Sequence, residues 1–462
     1  MFARNGTVLP NFDKEASFSM TSAVLKREKR PSRDHLDVSV RDSTVSNDTN
    51  CCRLCGSHHF RSFVDLGMTP LCESFLAKEQ LDAMEPFYPL HALVCEECLL
   101  VQLKQYVTPG HIFKEYAYFS SYSTSWVAHA RSYCESIKQR LNLNSESLVV
   151  EVASNDGYLL QHMLPLGIPV LGIEPAANVA QAAIDKGIPT RVEFFGEALA
   201  RELLYEGKSA DLIIGNNVIA QVPDLNDFVA GLATLLKPNG VITLEFPHIE
   251  KLIAQRQFDT IYHEHFSYFS LSTIETLAAR HRLKVIDVEE LPTHGGSLRV
   301  YLAHAASTRP LNNRVGAVIG RERSAAICSI ERYASFDEQV RLIKRQLLSF
   351  LISAKNGGKK IVGYGAPGKG NTLLNYCGIG PDFLDFTVDQ NPYKHGKFTP
   401  GMHIPIFPVD AIAKAKPDYI LILPWNLKDE IIRQMQFVKD WGARFIVPIP
   451  SVSIIDPKDL PK

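Results

Sequence analysis

The densest chemistry in this chain is the run Tyr262-His263-Glu264-His265, inside DTIYHEHFSYFS. It sets a phenol, a carboxyl and two imidazoles within four residues. A histidine with an ordinary pKa of about 6.5 can take a proton near neutral pH. A phenol can donate to a developing oxyanion, and a carboxylate can orient or charge-pair the base. Together these groups suit an enzyme that removes a proton from carbon and puts another group there. Two histidines at i and i+2 also suit a metal-ligand pair or a plain surface strand. The reading therefore depends on what surrounds the run.

A second cluster lies upstream. Cys52 and Cys55 in CCRLCGS, and Cys95 and Cys98 in CEEC, form two Cys-x-x-Cys pairs. Four thiolates so spaced can close a tetrahedral zinc site, which leaves no position for substrate and makes the metal structural. Cys51 and Cys72 read as packing thiols. Between the cysteines and the next domain, Tyr116, Tyr118, Phe119 and Tyr122 crowd one short segment. Most of these are expected to be core or interface aromatics.

The elements that must position this chemistry read as two α/β sheets. LVVEVASNDGYLLQHM is a buried strand, a tight turn and a helix. VLGIEPAANVAQAA and DLIIGNNVIAQVPDLNDFVAGLATLL repeat the pattern, and GVITLEFP adds a strand. This alternation predicts a parallel, doubly wound sheet with its ligand at the strand C-termini. The turn Ala153-Ser154-Asn155-Asp156-Gly157 lacks the dinucleotide glycine fingerprint. Glu174 ends the second strand, where a carboxylate can accept both ribose hydroxyls. A relaxed glycine pattern with an acidic second strand suits S-adenosylmethionine better than NAD. The candidate cofactor set is Glu151, Ala153, Asn155, Gly157, Glu174, Asn216 and Asn217.

A third region begins near residue 305. It holds a long amphipathic helix, then the strand and turn Gly363-Tyr364-Gly365-Ala366-Pro367-Gly368-Lys369-Gly370. That turn offers backbone N–H groups and a lysine at a helix start, a recipe for holding an anion such as a pyrophosphate. Gly365, Lys369 and Gly370 are its candidate substrate contacts.

Composition bounds the rest. At 462 residues, two to four domains are expected. The net charge is −1, from 49 basic and 50 acidic residues, so no global basic field draws nucleic acid or an anionic membrane. No apolar run has the length of a bilayer span, and the N-terminus lacks a signal-type apolar core. Nine cysteines, four of them in metal-type pairs, fit a reducing, cytoplasmic setting. The expected organisation is a disordered tail over 1–49, a zinc-binding domain over 50–110, a methyltransferase-type domain over 111–305 and a second Rossmann-like domain over 306–462.

The order CxxC…CxxC, YxYFSSYS, EVASNDG, GIEP, NNVIAQVPDL, YHEHFSYFS, HGGSLRVYL, GYGAPGKGNTLLNY and PWNL resembles the sugar C-methyltransferases of deoxysugar biosynthesis over residues 50 to 450. The resemblance implies a zinc module, an S-adenosylmethionine domain and a C-terminal Rossmann-like domain. It further implies a nucleotide-linked 4-keto-6-deoxyhexose as substrate, lying between the last two domains. It puts the catalytic base on His265, with Tyr262 and Glu264 beside it and a tyrosine on or near Tyr116. Gln221 stands where the family pattern has a histidine near the sugar, and glutamine cannot take a proton there. A monomer is expected, with a small-molecule partner and neither nucleic acid nor membrane. Two rival readings stay open. One is a methyltransferase for another carbon acid or a hydroxyl; the other is a non-catalytic zinc and Rossmann binding protein.

Overall fold

The computed structural model describes residues 50–112 and 119–457. The tail and Tyr116 lie outside them. The strands are β1 (Phe60–Thr69), β2 (Tyr88–Cys95), β3 (Val101–Leu103), β4 (Val149–Val152), β5 (Val170–Ile173), β6 (Thr190–Arg191), β7 (Ala210–Asn216), β8 (Leu236–Pro247) and β9 (Ser267–Tyr268). They continue as β10 (Leu283–Leu291), β11 (Ser297–His304), β12 (Ile361–Tyr364), β13 (Thr387–Val388), β14 (Ile406–Phe407), β15 (Tyr419–Ile422), β16 (Arg444–Val447) and β17 (Ser453–Ile455).

Three sheets result. The central one runs β10-β11-β8-β7-β4-β5-β6, with β4 to β8 parallel and β11 reversed against β8. Its inner strand β4 is apolar apart from Glu151 and is buried along its length, as expected when helices cover both faces. The C-terminal sheet runs β14-β13-β12-β15-β16-β17, parallel except at β17. Helix Phe336–Asn356 precedes it and buries one stripe: Phe336, Val340, Ile343, Leu347 and Leu351.

The small sheet ties the molecule together. β1, β2 and β3 form it with β9, the two residues that follow His265 by one position. Phe63 of β1 stacks on Phe336 at 4.5 Å between ring centroids, and one continuous core joins the small sheet to the C-terminal sheet. The cysteine module is thus built into the region that carries YHEH, a link that residue spacing does not reveal.

Candidate active site

The metal site is compact. The sulfurs of Cys52, Cys55, Cys95 and Cys98 all lie within 4.8 Å of one another. Cys52 Sγ stands 3.5 Å from Cys98 Sγ, and Cys55 Sγ 3.6 Å from Cys95 Sγ. Zinc–sulfur bonds of about 2.3 Å in a tetrahedron need edges of roughly 3.8 Å, so the set fits zinc. Gln102 Nε2 donates to Cys52 Sγ at 3.2 Å and orients that ligand.

At the end of β4 the backbone takes the left-handed conformation three times, at Ala153 (φ 57°), Asn155 (φ 50°) and Gly157 (φ 75°). Only the third is glycine, and it has to be: a Cβ there would stand 2.3 Å from Ile188 Cδ1. Asparagine tolerates this region, whereas alanine bears about 1–2 kcal/mol of strain. The glycine-type loop therefore exists without the glycine pattern.

Glu174 braces the loop. Its Oε2 accepts the Asn155 N–H at 3.0 Å and its Oε1 the Ala176 N–H at 2.9 Å. Burial raises its pKa to about 6, and these two donors oppose the rise. Glu151 is buried beneath and is pushed well above the usual carboxylate range, against the Tyr158 hydroxyl. Around the loop, Ser154 Oγ, Asp156 Oδ1, Asn216 Oδ1 and Asn217 Oδ1 are buried with no hydrogen-bond partner among the described residues. Such orphaned groups at parallel strand ends suit a polar ligand, and their chemistry matches the ribose and amino-acid ends of S-adenosylmethionine.

The YHEH run is a tight turn. His265 N–H donates to Tyr262 O at 2.8 Å, which folds the two rings together at 4.0 Å between centroids. The corner residues diverge. His263 Nε2 meets Pro89 O at 3.2 Å, on the small sheet, and Glu264 accepts from the Cys72 thiol at 3.8 Å. Burial raises Glu264 to about 8, with neighbouring Glu73 adding to the rise.

His265 is poised differently. Its Nδ1 lies 3.0 Å from Thr260 O. A carbonyl only accepts, so Nδ1 carries the proton and Nε2 keeps its lone pair. Burial pushes this imidazole down to about 4; the Thr260 carbonyl opposes that, while His294 and Lys369 push it further down. The imidazole is therefore neutral at neutral pH.

Lys369 reaches this site from the first turn of helix Gly368–Cys377. Its Nζ donates to Asn426 Oδ1 at 3.1 Å and lies 5.2 Å from the Trp425 ring centroid. Trp425 Nε1 donates to the buried Asp259 at 2.7 Å, and Asp259 is also the charge that partners the lysine. Gly365 and Gly370 serve packing. A Cβ at Gly365 would stand 2.6 Å from Pro424 Cδ, and one at Gly370 2.9 Å from Leu423 Cβ. The expected anion seat at the helix start already holds the protein's own carboxylate, since Glu73 accepts the Gly368 N–H and pairs with Lys394 at 3.5 Å. Gln221 ends the short 3₁₀ turn Ile219–Gln221 and is half-buried.

Sequence reasoning gave no role to Cys72, Glu73, Lys394, Asp259 or His294. Asp259 and His294 fell inside the quoted runs DTIYHEHFSYFS and HGGSLRVYL without being singled out, and Cys72 was read only as a packing thiol.

Three family models match in chain order. A putative zinc binding domain covers 52–113, a methyltransferase domain 126–288 and a C-methyltransferase C-terminal domain 292–450. The last takes in β11, which structurally belongs to the central sheet. The chain is 36% identical over 404 residues to the C-methyltransferase NovU of Streptomyces niveus, covering 87% of this chain and 96% of that protein. Among solved structures, magnesium protoporphyrin IX methyltransferase from Synechocystis PCC 6803 is 14% identical, with 42% of this chain and 88% of that one covered and a TM-score of 0.30. The PH0226 protein of Pyrococcus horikoshii OT3 is 15% identical, with 43% and 96% covered and a TM-score of 0.33. Among the described residues no helix is long and apolar enough to cross a membrane.

Proposed function

This chain belongs to the family of zinc-binding, S-adenosylmethionine-dependent C-methyltransferases, and from that premise we propose that it methylates C3 of a nucleotide-linked 4-keto-6-deoxy sugar. The supporting observation is His265, a neutral imidazole with its lone pair on Nε2, next to the lysine that the C-terminal sheet supplies. The relationship to a C-methyltransferase points the same way.

A ketone at C4 acidifies the C3–H bond, because the resulting pair delocalises onto oxygen. His265 Nε2 takes that proton, a step that contributes roughly 100- to 10,000-fold. Tyr262, whose ring packs tilted against His265 at 4.0 Å between centroids, backs the imidazole and offers its hydroxyl to the sugar. Glu264 faces Cys72 and Glu73, and we assign it to shaping the turn. Lys369 supplies positive charge beside the reacting sugar, and Gln221 is retained as a sugar contact. The role of a tyrosine on or near Tyr116 rests on the resemblance alone, since Tyr116 lies outside the described residues. Glu151, Glu174, Asn216 and Asn217, with the 153–157 loop, would hold S-adenosylmethionine, which supplies an electrophilic methyl group when bound. Bringing both reactants together contributes much of the remaining acceleration.

The test is product mass spectrometry with purified protein, S-adenosylmethionine and a panel of nucleotide 4-keto-6-deoxysugars. A gain of one methyl on carbon is expected, and His265→Asn should abolish it while both ligands still bind. A methyl on oxygen, or no reaction with any ketosugar, would overturn the proposal.

A further inference from the structure

We infer that His294 is a second catalytic histidine, a neutral hydrogen-bond donor whose Nδ1–H meets the substrate oxygen that becomes negative when His265 removes the proton. The inference rests on the ketosugar reading given above.

Four observations converge on it. First, Asn217 Nδ2 lies 3.1 Å from His294 Nε2. An amide N–H donates, so Nε2 accepts and the ring proton sits on Nδ1. Among the described residues no protein group meets that Nδ1. Second, the backbone of His294 is left-handed (φ 53°, ψ 21°), as is that of Asn217 (φ 55°). Asparagine tolerates that region, so the strained member of the touching pair is His294, and strain kept there marks a position held for a purpose. Third, the ring is fixed. Trp126 meets it edge-on at 5.4 Å, and the preceding Thr293 donates to Glu245 at 2.9 Å. Fourth, His294 and Lys369 are both close enough to bear on the charge of His265. Burial and the same lysine push His294 itself down to about 4, so it stays neutral. A neutral imidazole donates to an oxyanion without giving up its proton, a known use of histidine beside a carbonyl.

The electrons balance simply. The C3–H bond breaks and its proton goes to His265 Nε2. The bonding pair forms the C3=C4 double bond, and the C4 carbonyl pair moves onto oxygen. His294 keeps its proton and only donates. When the pair returns through C3 it forms the bond to the methyl carbon, the carbonyl is restored, and the departing sulfur keeps the electrons of the broken S–CH₃ bond.

The experiment follows deuterium exchange at C3 and methylation for wild type, His294→Leu and His294→Gln. Zinc content, thermal unfolding and calorimetric affinities for both ligands are measured alongside. Leucine fills similar space without a donor and should lose at least about 100-fold in both rates, with affinities nearly unchanged. Glutamine can donate through its amide and should recover a clear part of that loss. Exchange in His294→Leu within about threefold of wild type overturns the inference, as does equal loss in both variants. Should His294→Leu not fold, the decision passes to His294→Gln against wild type at saturating ligands: a reduced exchange rate with intact affinities supports the inference, and wild-type exchange removes it. Wild type that exchanges no ketosugar would remove the ketosugar reading itself, before any variant is compared.

Discussion

The central and C-terminal sheets carry the same local device and use it differently. In the central sheet, Glu174 at the end of β5 accepts backbone N–H groups from Asn155 and Ala176. In the C-terminal sheet, Asp389, just past β13, accepts those of Ala366 and Asn391 at 2.7 and 2.8 Å. Each carboxylate clamps the turn after the neighbouring first strand. The central turn then leaves Ser154 Oγ and Asp156 Oδ1 without partners among the described residues. The C-terminal turn is filled from within: Glu73 takes the Gly368 N–H, and Lys394 Nζ donates to Ala366 O at 2.8 Å. One sheet keeps its ligand seat open. The other closes the seat with a loop from the β1–β2 connection and sends Lys369 toward the YHEH turn. A Rossmann-like turn thus defines where an anion can sit, and the rest of the chain decides whose anion it is.

The largest effect should come from breaking the small sheet that delivers this plug. Cys95→Ala removes one of four zinc ligands at the end of β2. In small zinc modules the metal contributes on the order of 10 kcal/mol of folding. The variant should lose its zinc, expose β1 to β3 to protease and lose methylation, since β9 pairs with β3 directly after His265. A zinc-free Cys95→Ala protein with normal turnover would separate the metal from the YHEH turn.

Next in size is the pair of clamps. Glu174→Ala should weaken S-adenosylmethionine binding by about tenfold or more, on the order of 1.4 kcal/mol. Asp389→Ala should leave that affinity unchanged, because its turn is filled by Glu73. Calorimetry on both variants checks the contrast, and equal losses would erase the distinction between the sheets.

A smaller effect tests how the C-terminal sheet acts on the base. His265 serves as a base only when neutral, and its pKa is down to about 4. The acid limb of turnover should therefore lie well below the ordinary histidine value of about 6.5. Lys369→Met removes one of the charges that lower this pKa, so the limb should move to higher pH. It should stop short of the ordinary value, because burial is the larger cause. A limb that stays put means the lysine does not act on His265.

How much of this was legible in the sequence depended on how local each feature is. The four cysteines could be read because ligand spacing is a property of short segments, and the alternation of strands and helices because it is periodic. Glu174 was singled out by its place at a strand end, as a ribose carboxylate; that its two oxygens accept the Asn155 and Ala176 N–H groups was not legible there. The YHEH turn was harder: an extended run would have alternated, but the His265-to-Tyr262 bond folds it, so Tyr262 and His265 share a side while His263 and Glu264 leave in two directions. Glu73 and Lys394 come from segments far apart in the chain, and nothing in either segment points to the other. His294 sat in a quoted motif with no role, because its partner Asn217 lies 77 residues away in the chain.

The smallest expected effect concerns the one residue that breaks the local rule in the open turn. Ala153 sits at φ 57°, where the matching position of the filled turn, Gly365, is glycine at φ 87°. Changing Ala153→Gly relieves about 1–2 kcal/mol of left-handed strain. Against that, glycine adds roughly 0.5–1 kcal/mol of unfolded-chain freedom. The alanine methyl also packs against the central core, and losing it costs up to about 0.8 kcal/mol. These terms nearly cancel, so the variant should fall within about 1 kcal/mol of wild type in denaturant unfolding, with S-adenosylmethionine affinity kept. The reverse exchange at the other sheet, Gly365→Ala, drives a Cβ to 2.6 Å from Pro424 and should be the worse change of the two. If Ala153→Gly instead loosens cofactor binding by tenfold, the strained alanine is part of how the open turn is held ready, and the two turns differ in stiffness as well as in what fills them.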